Sequence, residues 1–227
     1  MDPTVPPSAA LLLDFIREIE TGRKGREAYD VIYGHAQGKL PKPITQMTIA
    51  ELQRHQSSGW PAKSTASGAY QFMRATLADL RRELKLLDGQ VFDPNLQDRL
   101  GYHLLKRRGY EAFMAGHISR TEFGRRLAME WASLPVLASV KGAHRTVQRG
   151  QSYYAGDGLN KSLVEPSRVE TILDRAKHAN GAPLPPDVPV PAPSAPPDTK
   201  RPPATPAALA IAIVLAALVA AFFIFLR

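Results

Sequence analysis

The chain has 227 residues, of which 44% are hydrophobic and 22% charged, with a formal charge of +8. That balance excludes a wholly disordered polymer, and the absence of cysteine excludes disulfides, thiol catalysis and cysteine-ligated zinc. A basic surface suits DNA, anionic lipid or an acidic polymer. The Lys and Arg are scattered, as in Arg81-Arg82 and Arg107-Arg108, so no nucleic-acid arm is visible and nucleic acid is not expected as a partner.

In chain order, the stretch SAALLLDFIREIETG predicts a helix capped by Ser8, with Leu12, Ile16 and Ile19 at helical spacing and a stop at Gly22. Residues 29–72 are rich in Gly, Pro, Thr and Ser and predict a loop and β-hairpin lobe. Helical periodicity returns over Met73 to Leu87. Asp93-Pro94 is a cap followed by proline in the first turn, opening a helix that runs to Lys106. Ser119 to Glu122 and Ser167 to Glu170 have capping-box spacing. They introduce helices carrying Phe123, Leu127 and Trp131, then Ile172, Leu173 and Ala176. The six histidines lie far apart and form no metal motif, and no cofactor is indicated. The expected fold class is α+β, mainly α, in a domain spanning residues 8–180, with a small β or loop lobe.

Beyond the domain the composition changes sharply. Residues 181–206 are dominated by proline and alanine, a linker that extends by about 3.1 Å per residue and spans on the order of 70 Å. Residues 207–226, AALAIAIVLAALVAAFFIFL, contain no charge and have the length of a transmembrane helix. A polar stripe, expected of a core helix, is missing from this run. The start of the chain, MDPTVPPSAALLLDFIREIE, lacks a basic leader, and Asp14 and Arg17 interrupt its apolar stretch, so it does not read as a signal peptide.

Glu20 falls in the last turn of the first predicted helix. There the negative end of the helix dipole opposes ionisation of a carboxylate, and burial in a cleft would act in the same direction. On position alone it reads either as a general acid or as a surface glutamate offset by Arg23 and Lys24.

Four blocks then occur in order: LLDFIREIETG, YDVI at Tyr29 to Ile32, SGAYQF at Ser67 to Phe72, and WASLP at Trp131 to Pro135. In sequence and spacing the chain resembles the endolysins of phage lambda and its relatives across about residues 11–179. The resemblance implies a lysozyme-like fold and a peptidoglycan lytic transglycosylase serving host cell lysis. It implies that Glu20 is the catalytic residue, protonating the glycosidic oxygen and then taking a proton from the 6-hydroxyl of N-acetylmuramic acid. The product is a 1,6-anhydro sugar, formed without water or a second carboxylate.

Around Glu20 the resemblance suggests a substrate cleft. Tyr29 and Asp30 belong to the YDVI block. Gly68 would allow backbone and sugar to approach closely, Tyr70 would offer a flat face to a pyranose ring, and Gln71 would bond acetamido or hydroxyl groups. The alternative for this block is a tight turn with Tyr70 and Phe72 as core anchors. Tyr153 and Tyr154 lie near the region where related enzymes place aromatic groups, although this chain carries extra residues, VLASVKGAHRTVQRG, after WASLP. Glu27, Asp30 and Glu51 are the carboxylates considered for activating water, as in a hydrolytic lysozyme; turns or salt bridges are the competing roles of Glu27 and Glu51.

The expected partners are peptidoglycan glycan strands, a lipid bilayer through the C-terminal helix, and a holin. The related endolysins lack such a tail. The expected location is the host inner membrane, single-pass, with the domain acting in the periplasm. Lys200 and Arg201 before the apolar run, against Arg227 after it, bias the domain slightly toward the inside. Two other readings stay open: hydrolysis of the same bond, and a non-catalytic membrane-anchored wall-binding protein.

Overall fold

The computed structural model describes residues 1–179; the linker and transmembrane segments expected at 181–206 and 207–226 lie outside the described residues. Seven α-helices and one two-stranded sheet are present within the described residues. Their balance matches the expected α+β, mainly α, class. None of the helices among these residues is long and apolar enough to cross a membrane.

Helix α1 (Pro7–Thr21) starts one turn's edge earlier than Ser8 predicts, with proline at its first positions and Pro6 as N-cap. The Ser8 hydroxyl is instead buried and bonds the Tyr110 hydroxyl at 2.6 Å. Gly22 closes the helix in the left-handed conformation, φ 65°, and its amide returns to the Glu18 carbonyl. Leu12, Leu13 and Ile16 face inward, and α1 packs against α4 (Pro94–Arg107) and α7 (Pro166–His178). Asp93 caps α4 by accepting the Leu96 amide at 2.7 Å, as its Asp-Pro start predicts.

The segment 29–72 is less β-like than expected. Three 3-10 turns, Arg26–Asp30, Tyr33–Lys39 and Ile44–Gln46, are followed by α2 (Ile49–Ser57). A reciprocal box between Thr48 and Glu51 caps α2. Strand pairing here is limited to isolated bridges, Ile32 with Ser67, Ser67 with Phe72, and Thr48 with Val91. The regular sheet lies elsewhere: β1 (Val140–Lys141) pairs antiparallel with β2 (Thr146–Val147), inside the segment that follows WASLP.

Helix α3 (Arg74–Leu84) ends at Lys85 in the left-handed region, short of the predicted Leu87. After α5 (Tyr110–Met114), α6 (Arg120–Glu130) is capped by the Ser119 hydroxyl, which accepts the Glu122 amide. Trp131 is its C-cap rather than an interior residue. The second capping-box expectation does not hold. Proline at 166 starts α7 early and leaves Ser167 inside the helix, where it has no orphan amide to cap.

A single apolar core joins these elements, with Phe72, Phe92, Phe113 and Phe123 fully buried. The fold also reaches back past residue 8: Val5 and Asp2 are buried.

Candidate active site

Glu20 stands in the last turn of α1, where a cleft of about 650 Å³ opens between α1, the turn after α6 and the segment 64–73. Trp131, Ala132 and Ser133 line it with Glu20, as do Gln71, Tyr33 and Met73 and, from later in the chain, Tyr154, Leu159 and Leu163. The Ser133 hydroxyl donates to Oε1 of Glu20. Burial pushes the Glu20 carboxyl up to about 7, against the opposite pull of that hydrogen bond. No ion pair among the described residues involves Glu20. Lys24 turns to Glu18 instead, at 3.5 Å, and Arg168 approaches the same Glu18.

A protonated carboxyl in a walled cleft, free of a neutralising cation, is a proton donor at neutral pH. Its position follows from local chain chemistry. Gly22 terminates α1 just beyond it, and Ser133 is brought over by the tight turn that puts the Leu134 amide on the Trp131 carbonyl.

The SGAYQF block divides between cleft and core. Ser67 and Phe72 exchange two backbone hydrogen bonds, making a short hairpin. Gln71 sits in the left-handed region, φ 49°, and its side chain reaches the Gly68 carbonyl at 2.9 Å while lining the cleft. Tyr70 does not face the cleft. Its ring is 1% exposed and its hydroxyl donates to Asp98 Oδ1 at 2.6 Å, so it has no free face for a sugar. Gly68 is likewise internal: a Cβ there would lie 2.3 Å from Oε1 of Gln97, so the close approach it allows is to Gln97. Gln97 clamps the hairpin, accepting the Ala69 amide and donating to the Tyr29 and Phe92 carbonyls.

Tyr29 and Asp30 also turn inward. The Tyr29 hydroxyl donates to Asp98 at 2.8 Å and accepts from Arg17 at 2.9 Å; burial first, and then the Asp98 charge, push it up to about 12. Asp30 accepts the Thr45 amide at 2.9 Å, holding the 3-10 turn Ile44–Gln46. None of Tyr29, Asp30, Gly68 or Tyr70 lines the cleft, because each is bound to internal polar partners or packed against them.

Of the two late tyrosines, Tyr154 lines the cleft, its hydroxyl fixed to the Met129 carbonyl at 2.7 Å. Tyr153 packs edge-on against it outside the lining, ring centroids 5.3 Å apart. Glu51 completes the α2 cap and pairs with Lys42 at 2.9 Å, and Glu27 accepts the Gly25 amide. Neither stands in the cleft.

Sequence reasoning missed most of the cleft lining, including Ser133, Glu130 and Lys161. Ser133 lies inside the WASLP block and Glu130 immediately before it, and Lys161 comes from the loop before α7. Glu130 is held by Arg108 at 2.7 Å. No group of metal-binding side chains occurs among the described residues.

The chain belongs to the endolysin family, whose profile, described as Endolysin, matches residues 10–159. Among solved structures it is similar to the bacteriophage lambda lysozyme complexed with a chitohexasaccharide, at 22% identity and a TM-score of 0.46 over 76% of this chain and 95% of that one. No curated protein matches.

Proposed function

We propose that the protein cuts the MurNAc–GlcNAc β-1,4 bonds of peptidoglycan by lytic transglycosylation, with Glu20 as acid and then base. One observation carries the reading: Glu20 is a carboxyl with no ion pair among the described residues, standing in a large cleft, raised to about 7 by burial and touched by the Ser133 hydroxyl. Its proton passes to the glycosidic oxygen as the bond to C1 breaks, and the GlcNAc alcohol leaves. The muramic 6-hydroxyl then bonds C1 while Glu20 takes its proton, closing a 1,6-anhydro ring and returning the carboxyl to its starting state. No water is consumed.

Glu130 supports a second reading. It is a second carboxylate lining the same cleft, the arrangement by which an inverting or retaining hydrolase activates water or stabilises the sugar cation. Its carboxylate is already engaged by Arg108 at 2.7 Å. Mass spectrometry of digested peptidoglycan separates the two: muramic ends lighter by one water support transglycosylation, and reducing ends alone overturn it. Loss of all turnover in Glu20→Gln excludes a non-catalytic wall binder.

The uncharged run 207–226 supports single-pass anchoring in the host inner membrane, with the domain acting in the periplasm. Protease accessibility in intact spheroplasts tests it. Protection of the domain before lysis would point to release through a lesion made by a holin, and digestion before lysis would remove the holin from the scheme.

A further inference from the structure

The cleft lining holds three charged side chains, Glu20, Glu130 and Lys161. Glu130 is neutralised by Arg108, and Glu20 is largely protonated below about pH 7. Lys161 is exposed and has no ion pair among the described residues, which leaves it the unanswered charge of the lining. Its loop is nonetheless built. Asp157 accepts the amides of Leu159 and Asn160 at 2.9 Å each, and the Leu163 amide donates to the Ser133 carbonyl at 2.8 Å. Lys161 is therefore two residues from an anchor on the residue that touches Glu20.

Exposed apolar residues share this lining with it, beside polar Ser64, Gln71, Ser133 and Asn160. Leu159 (85% exposed) and Leu163 (67%) lie on its own loop, and Tyr33 (50%) and Met73 (46%) line the same cleft. Lone exposed apolar residues are ordinary, but four converging on one cleft mark a contact surface. An unpaired ammonium among apolar groups fits a ligand that carries a carboxylate next to hydrocarbon. In a peptidoglycan strand the sugars are neutral, and the carboxylates sit on the stem peptides that branch from the muramic lactyl group.

We propose that Lys161 is a specificity-determining residue that pairs with a stem-peptide carboxylate, selecting peptide-bearing strands over uncharged glycan. This rests on the glycan-cutting reading above. The ion pair forms on binding and persists through reaction, so it acts on KM rather than kcat.

The test uses the full-length protein and its Lys161→Met and Lys161→Arg variants. Each is assayed on native peptidoglycan and on the same material with its carboxylates converted to amides. Lys161→Met is expected to raise KM about fivefold on the native material, the scale of a partly exposed ion pair, with kcat unchanged. On amidated material the variants and the native protein should coincide, and Lys161→Arg should retain native behaviour on both. An equal KM change on both substrates, or none on either, overturns the proposal. Failure of the native protein to cut either substrate removes the glycan-cutting reading itself, and the role of Lys161 with it.

Discussion

Ser133 Oγ donates a hydrogen bond to Oε1 of Glu20, joining the turn after α6 to the last turn of α1. Hydrogen bonds to a charged group stabilise by about 1.5–3 kcal/mol, and this one favours the ionised carboxyl. In Ser133→Ala the carboxyl should therefore be harder to ionise. The high-pH limb of the pH–rate profile is expected to move up by about one unit, because a unit corresponds to 1.36 kcal/mol. An unmoved limb in an active, folded variant would show that the hydroxyl does not tune the acid.

Glu20 itself should weaken the fold. Its pKa stands near 7 in the folded chain against 4.5 ordinarily, so between those values the folded state holds a proton that the unfolded state has released. Stability then falls as pH rises through this window and levels off above it. With its partial exposure screening the charge, the loss is about 1–3 kcal/mol. Denaturant titrations should show Glu20→Gln more stable than the native protein at pH 8 and equal to it near pH 4. Parallel curves at both pH values would contradict the burial argument.

Tyr70 offers a sharp distinction between packing and sugar binding. Its hydroxyl serves Asp98 inside the core. Tyr70→Phe should lower unfolding free energy by about 1–3 kcal/mol, the cost of leaving a buried acceptor short of a donor. KM for the glycan should not change. A raised KM with unaltered stability would return Tyr70 to the cleft.

Gly68→Ala meets two obstacles, a φ of 77° and the Gln97 side chain where Cβ would sit. Left-handed backbone alone destabilises a non-glycine residue by about 1–2 kcal/mol. A loss of at least that size in thermal or denaturant unfolding is expected, and a neutral substitution would mean that the hairpin is looser than the Gln97 clamp implies.

Much of the scaffold was legible because its signals are local. The apolar spacing of Leu12 and Ile16, the stop at Gly22, the Asp93-Pro94 start and the Ser119 cap each act within a few residues. Thr48 and Glu51 carried the same kind of signal for α2, hidden by the turn-rich composition around them. Ser167 and Glu170 had the spacing but lost the start of α7 to Pro166. Of the expected site residues, Glu20, singled out by the resemblance rather than by its place at a helix end, lines the cleft together with Gln71 and Tyr154. Ser133 was beyond reach, since it joins Glu20 from 113 residues away in the chain. For Tyr70 and Phe72 the core-anchor alternative holds, whereas the inward turn of Tyr29 was hidden because it depends on a buried acid supplied by a different helix.

Asp98 is fully buried in α4 and accepts hydrogen bonds from the Asp2 amide, Tyr29 and Tyr70. Three stretches of chain distant in sequence thus share one acceptor, and detaching any of them strips solvation from a charge the others must still face. Opening is expected to be collective for this reason. Amides near Asp2, Tyr29 and Tyr70 should exchange with deuterium at a common rate, as one unit rather than by fraying from the chain's beginning inward.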